Sequence, residues 1–305
     1  MLKDKDKPEN AKIAIRGDAS NPGEEAPRRF LSILCDGEAK PFGRGSGRAD
    51  LANAIASPEN PLTARVIVNR LWQYHFGEGI VRSASNFGTL GDRPTHPELL
   101  DWLAARLVES GWSLKAMHRE MLLSSAYGMV SDEEPNKDPD NRLLWRANAR
   151  ERHDAESLRD SILAVSGSLD GTLGGPAQPL ADDLGRRTLY VTVSRSKPDR
   201  TLAIFDFPDP NASSDRRMVT VGPMQRLYFL NSGFVARQSK MLAERLGREA
   251  GDDKSRIARA YEMLYNRPVT DEETRLGLEY LASNKDGWPK YAQALLSASE
   301  FSTIK

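Results

Sequence analysis

Pro61 to Phe76 (PLTARVIVNRLWQYHF) is apolar around nearly its whole circumference, the pattern of a helix buried inside a domain rather than laid on its surface. Gly77 follows at the place where a left-handed residue commonly ends a helix. A helix of this kind needs partners on several sides, so the chain must build a helical core around it. The next segments supply them. Thr95 with Glu98 three residues on spells a capping box, and Pro97 sits in the first turn. Leu100, Leu103 and Leu107 then recur at helical spacing until Gly111. Ser113 can cap a third helix, with Trp112 and Met117 placed as a hydrophobic staple. So short a turn sets these two helices nearly antiparallel. Leu62, Val66, Ile67, Leu71, Leu103 and Leu107 are expected to share one core.

Downstream, residues 154–166 present Ala155, Leu158, Ile162 and Val165 on one helical face. From Gly171 to Arg217 glycine, proline and aspartate rise, and only Thr188–Val193 (TLYVTV) reads as a strand; Phe30–Cys35 is a second short strand candidate. After Pro223 helical periodicity returns. Arg256–Leu264, Glu272–Ala282 and Tyr291–Ser299 read as a final three-helix unit separated by NRPVTD and NKDGWP turns. The expected fold is mainly α: a multi-helix globular domain with a small irregular β element and a C-terminal three-helix unit. A polar lead-in, residues 1–28, is expected to be loosely ordered. Residues 29–235 are expected to form the helical core, with an irregular Gly/Pro-rich insertion at 171–222, and residues 236–305 a helical unit packed on it.

Charge excludes some partners. The 43 basic and 43 acidic residues cancel, so no global field steers the chain to nucleic acid or to an acidic membrane. No apolar run approaches the length of a membrane span. Cys35 is the only cysteine, which rules out an internal disulfide, a Cys-rich zinc site and a CxxCH haem attachment, so no cofactor is expected from motif. The amino terminus has charges but no apolar core of a secretory signal, and the compartment is not readable from it. The glycines of GRGSGR, Gly43 to Arg48, fit neither phosphate-loop pattern and read as a solvated turn.

Several clusters invite chemistry. Arg65, Asn69 and Gln73 form a polar line at four-residue spacing on the otherwise apolar helix, readable as an internal hydrogen-bond network or as the lining of a ligand cleft. Arg65 and Asn69 are expected to be mostly buried. His75 lies on an apolar side of the same helix, as a satisfied core histidine or as a ligand or proton carrier. His96 follows the expected cap, and His118 and His153 are assigned to solvent. Arg152, Glu156, Arg159 and Asp160 make a charged ridge, read as surface pairs.

The densest cluster is FDFPDPNASSDRR, Phe205 to Arg217. Asp206, Asp209, Asn211 and Asp215 offer oxygen ligands for calcium but depart from the EF-hand pattern. Asx residues beside proline also build turns, and Asp206 with Asp209 could serve as a catalytic carboxylate pair. Residues 186–226 hold seven arginines and one lysine against four aspartates. Arg195, Arg216 and Arg217 could therefore grip a sulfate, phosphate or uronate group, as on an anionic glycan. No GxSxG is present, so acyl transfer has no support.

The block from Asn60 to Tyr127, together with DPDNRLLWR, DAESLRDSILAVSGSLDGTLGG, FDFPDPN and PMQRLYFLNSGFV, resembles the planctomycete PSD1 domain family (DUF1553), whose function is unknown. The resemblance covers most of residues 20–301 and brings no catalytic motif. It implies that the chain is the last domain of normally longer, exported proteins, in which a cytochrome-c-like module and a second uncharacterised domain stand upstream as partners. The expected role is a binding or assembly module supporting such neighbours or a glycan-related partner. The alternative is a hydrolase or lyase on anionic polysaccharide, with Asp206 and Asp209 as acid and base.

Overall fold

The computed structural model describes residues 3–129, 138, 140–145 and 151–304; Pro139 and Arg146 of the DPDNRLLWR block lie outside them. The fold is mainly α with two small antiparallel strand pairs. It divides into two compact units, residues 1–149 and 150–305. The boundary expected at 235/236 instead falls inside a single helix, Gly233–Glu249, because the apolar stripe of that helix runs unbroken from Phe234 to Leu246.

In the first unit, β1 (Ala11–Ala14) pairs with β2 (Pro22–Ala26) in an exposed ribbon, so the polar lead-in carries regular pairing where loose order was expected. Asp4 reaches into the glycine-rich turn. It accepts from the Ser46 main-chain N–H at 3.0 Å, from the Ser46 hydroxyl at 2.7 Å and from Arg48. These bonds lower the Asp4 pKa to about 2. The turn thus holds an anion, but the chain's own. Phe30–Cys35 holds a short 3₁₀ turn, Ser32–Leu34, in place of a strand.

After α1 (Arg48–Ile55), helix α2 (Thr63–Phe76) packs against α3 (Pro97–Glu109) and α4 (Leu114–Leu122). Val68, Leu71, Trp72 and Phe76 meet Leu100, Leu103, Leu107, Met117 and Met121 in one core. Ile67 packs at its edge, while Leu62 and Val66 are half-buried outside it and Tyr74 stands in solvent, so α2 is buried on one side and not all round. Gly77 ends α2 at φ +83°, a region open to glycine. Ser113 caps α4 through the Ala116 N–H at 3.3 Å. The expected Thr95 capping box does not form: the Thr95 N–H (2.9 Å) and hydroxyl (3.3 Å) both donate to the Ile80 carbonyl, which leaves His96 at the cap position.

The second unit is built on α5 (Ala155–Ser166) and on α8, the helix Gly233–Glu249, with α6 (Arg200–Ile204) and α7 (Pro223–Asn231) between them. Asp154 caps α5 by accepting from the Ser157 N–H at 2.7 Å. Leu158, Ile162 and Leu163 of α5 meet Phe234, Val235, Leu242 and Leu246 of α8. The closing helices α9 (Asp253–Tyr265), α10 (Asp271–Ser283) and α11 (Trp288–Ser297) complete this core with Ile257, Ala260, Leu264, Ala292 and Leu296. A true capping box, Thr270 with Glu273, starts α10. Arg267 clamps Glu273 at 2.7 Å and Glu300 at 2.8 Å across the NRPVTD turn. β3 (Glu151–Arg152) and β4 (Thr303–Ile304) pair antiparallel, joining the first and last residues of the unit. TLYVTV is no strand. It holds a 3₁₀ turn, Thr188–Tyr190, and single bridges tie the segment to its surroundings at Asp170–Arg186 and Gln178–Val191.

The polar line on α2 resolves differently at each position. Asn69 is fully buried and clasps Val81, donating to its carbonyl at 2.9 Å and accepting from its N–H at 2.8 Å. A Cβ on Gly79 would stand 2.7 Å from the Asn69 amide, which is why the intervening turn needs glycine there. Arg65 is not buried: its guanidinium lies at the surface, donating to Asp101 at 2.6 Å and to the Pro61 carbonyl. The Gln73 Oε1 is buried without a partner among the described residues. Replacing Asn69 by Leu strands two buried main-chain groups at Val81, and should lower the stability of this unit by about 2–5 kcal/mol in a denaturant melt. Stability within experimental error of wild type would show that the clasp contributes nothing.

Candidate functional site

Between α6 and α7 the chain runs without helix or strand, and its placement is dictated by buried polar groups. Gln225, in the first turn of α7, is 3 % exposed. Its amide donates to the Ile204 carbonyl at 2.9 Å and to Asp206 at 3.4 Å, while its Oε1 accepts from Arg152 and from the Gly222 N–H. Asp206, at φ +60°, accepts from the Thr220 N–H at 2.8 Å and from the Thr220 hydroxyl at 2.8 Å. Arg152 donates to the Thr220 carbonyl at 2.8 Å. Both main-chain groups and the side chain of Thr220 are therefore bonded, to Asp206 and Arg152, although the residue itself is exposed.

The residues around Thr220 are exposed as well. Val219 is 62 % and Val221 72 % exposed, and Met218, Met224, Leu227 and Leu230 are also exposed. Gly222 is extended, and Pro223 opens α7. Two grooves flank this strip and share Gly222 and Gln225. One, of about 550 Å³, is lined by Val219, Val221, Leu230, Arg152 and Arg226 among others. The other, of about 530 Å³, runs along Met224, Ile204, Ala203 and Arg200. No carboxylate lines either groove. Among the described residues neither Arg200 nor Arg226 has an acidic partner. Burial presses the Arg152 pKa down; the negative charge of Asp206 opposes this and the positive charge of Arg226 adds to it. The site is apolar at its crest and positive at its margins.

A third cleft, of about 610 Å³, lies along α5 between Glu156, Asp160, Arg187, Leu189 and Phe207. Its charges are matched internally. Arg217 grips Glu156 with two bonds of 2.6 Å, and Asp160 accepts from the Thr188 N–H and hydroxyl, each at 2.7 Å.

The residues singled out from sequence are thus dispersed. Asp206 anchors Thr220, and Asp209 forms a turn by accepting from the Asn211 N–H at 2.9 Å. The Asn211 amide donates to the Arg195 carbonyl at 3.1 Å. Arg217 is committed to Glu156, Arg216 is exposed, and Asp215 and Arg216 each have partners of their own. Among the described residues no three His, Cys, Asp or Glu side chains gather where a metal ion would be held, Asp206, Asp209 and Asp215 included. No helix among them is long and apolar enough to cross a membrane. Arg152, Glu156, Arg159 and Asp160 do not form surface pairs with one another; each reaches into the irregular segment. Missed altogether was the strip Met218–Leu230. Its signals were the Val–Thr–Val alternation and Met224, Leu227 and Leu230 at three-residue spacing, hidden by the neighbouring loop composition.

A family model for a protein of unknown function, PSD1 (DUF1553), matches residues 47–281. The chain belongs to the PSD1 family. No curated protein and no solved structure matches it. The matched stretch of this PSD1 chain takes in α2 to α4, α5 and the whole strip with its two grooves.

Two histidines expected apart, one inside and one in solvent, meet in the first unit. His75 Nε2 and His118 Nδ1 stand 2.8 Å apart, with Tyr127 edge-on to His75. The ring centroids are 5.0 Å apart, close to the nitrogen separation plus two ring radii, so the nitrogens point at each other along nearly one line. That is a hydrogen bond and not a chelating pair. His153, also assigned to solvent, is half-buried beside Asp154. Burial, and then the charge of His118, hold the His75 pKa below the ordinary histidine value. The unfolded chain binds a proton here at a pH where the folded chain does not, so stability rises with pH across that window. The contribution is complete above the ordinary value of about 6.5 and declines as the pH falls below it. Melts of wild type and His75→Gln between pH 5 and pH 8 should show a shallower acid decline for the variant; equal slopes would mean that His75 is not held neutral.

Proposed function

We propose that residues 150–305 act as a protein-docking module, and that the strip Met218–Leu230 with its flanking grooves receives an apolar segment carrying carboxylates from a partner protein. The reading rests on one observation: six large apolar side chains stand exposed within this strip, on a scaffold tied down at Thr220 and Gln225 by Asp206 and Arg152. Exposed apolar surface of this density, rimmed by charge, marks interaction sites in folded proteins. Arg200 and Arg226, without acidic partners among the described residues, set the sign of the partner's charge. The hydrolase or lyase reading has less behind it, since both oxygens of Asp206 are occupied by Thr220 and Asp209 is spent on a turn. Gripping of an anionic glycan by Arg217 would first have to break its paired bonds to Glu156.

The test uses a small probe with the partner's chemistry, the apolar anion anilinonaphthalene sulfonate. Its fluorescence should rise on the wild-type chain and fall to background on a Val219→Glu, Val221→Glu, Met224→Glu variant. That variant should keep its fold, each exposed substitution changing stability by no more than about 0.5 kcal/mol. Equal fluorescence from both proteins, or none from wild type, would refute the docking surface.

A further inference from the structure

The main chain at Thr220 says how such a partner would bind. In an extended chain the N–H and C=O of one residue point to one edge, and those of its two neighbours to the other. Thr220 has both groups bonded on one side, the N–H to Asp206 at 2.8 Å and the carbonyl to Arg152 at 2.8 Å, and the Gln225 side chain joins those two partners. Of the main-chain groups of Val219 and Val221, none has a hydrogen-bond partner among the described residues, so they remain available on the side that Asp206 and Arg152 do not occupy. Gly222 is extended, at φ −109° and ψ 157°, and Pro223, without an N–H, ends the run of donors. The segment belongs to no strand of the structure, yet its main-chain groups divide in that way: those of Thr220 are bonded, those of Val219 and Val221 are open, and the valine side chains beside them are exposed.

We infer that the partner adds to this edge as a β-strand, exchanging main-chain hydrogen bonds with Val219 and Val221 while its acidic side chains meet Arg226 and Arg200. The inference rests on the docking reading above and specifies its geometry. Apolar contact alone would be a poor solution, because covering Val219 and Val221 with hydrocarbon buries main-chain donors and acceptors that then lack partners. A peptide main chain supplies those partners at the spacing required, and strand addition to an exposed edge is an established mode of recognition. An acyl chain does not. A second copy of this chain would bring Arg152, Arg226 and Arg200 against their own counterparts, so like charges disfavour it.

The edge is already set in the free protein, so hydrogen exchange followed by NMR on the whole chain comes first. The Thr220 amide should exchange slowly and those of Val219 and Val221 fast. The probe is then a capped heptapeptide with valine at positions two, four and six, threonine between them and glutamate at either end. It should shift the Val219 and Val221 amides and slow their exchange. Val221→Pro keeps an apolar side chain and an extended Thr220 but removes one outward N–H, so it should weaken the peptide by about tenfold or more. Dye binding is read on wild type, which separates the two readings: loss of dye binding in wild type refutes the docking surface, whereas dye bound by wild type with undiminished peptide binding in Val221→Pro refutes strand addition alone. Fast exchange at Thr220, or a peptide that leaves Val219 and Val221 unmoved, also overturns it. So would self-association in sedimentation equilibrium that Val221→Pro abolishes, or binding to phosphatidylglycerol vesicles in place of the peptide.

Discussion

One face of α5 holds the second unit together. Arg152, just ahead of the helix, reaches Thr220 and Gln225; Glu156 holds Arg217; Arg159 donates to the carbonyls of Leu184 and Arg186; Asp160 takes the Thr188 N–H and Arg187. The segment between α5 and α7 has little regular structure, so many of its main-chain groups are met by side chains and not by one another. Four charged residues at helical spacing do this for more than thirty residues of loop. Arg159 shows the cost: it is 6 % exposed, its charge is disfavoured by burial, and it lies over the Phe234 ring at 5.1 Å. Removing it would take the donors from the part-buried carbonyls of Leu184 and Arg186.

The strip Met218–Leu230 inherits its order from this arrangement. Thr220 is placed by Asp206 and Arg152, and Arg152 is placed by β3 and by the Gln225 side chain beneath α7. Exposure of valines on an otherwise bonded scaffold differs from exposure through looseness. The first leaves a surface whose shape is set before any partner arrives, and so reduces the ordering entropy lost on binding.

Much of the helical framework was legible because it depends on local periodicity. Leu100, Leu103 and Leu107, the Ser113 cap and the three closing helices all follow from spacing and end signals. Thr95 failed because its main-chain N–H and hydroxyl both turn to the Ile80 carbonyl, so that His96 and not Thr95 stands at the cap position. TLYVTV failed because β-branched composition fits a strand only where a neighbouring strand exists, and here only isolated bridges meet it. The site was least legible. Asp206 stood out by composition, yet its role is decided by Thr220, fourteen residues on, and the exposure of Val219 and Val221 is fixed by Arg152 from another part of the chain. Long-range hydrogen bonds of this kind leave no period in the sequence.

The pairing of β3 with β4 means that the chain enters and leaves the second unit at the same spot, with the His153 N–H bonded to the Ser302 carbonyl just inside. Force transmitted along the backbone would open the two-residue ladder like a zipper, one bond after another, before it loaded the core. The same closeness of ends makes the unit suited to circular permutation, with new termini cut in an exposed turn and the old ones bridged by a short linker.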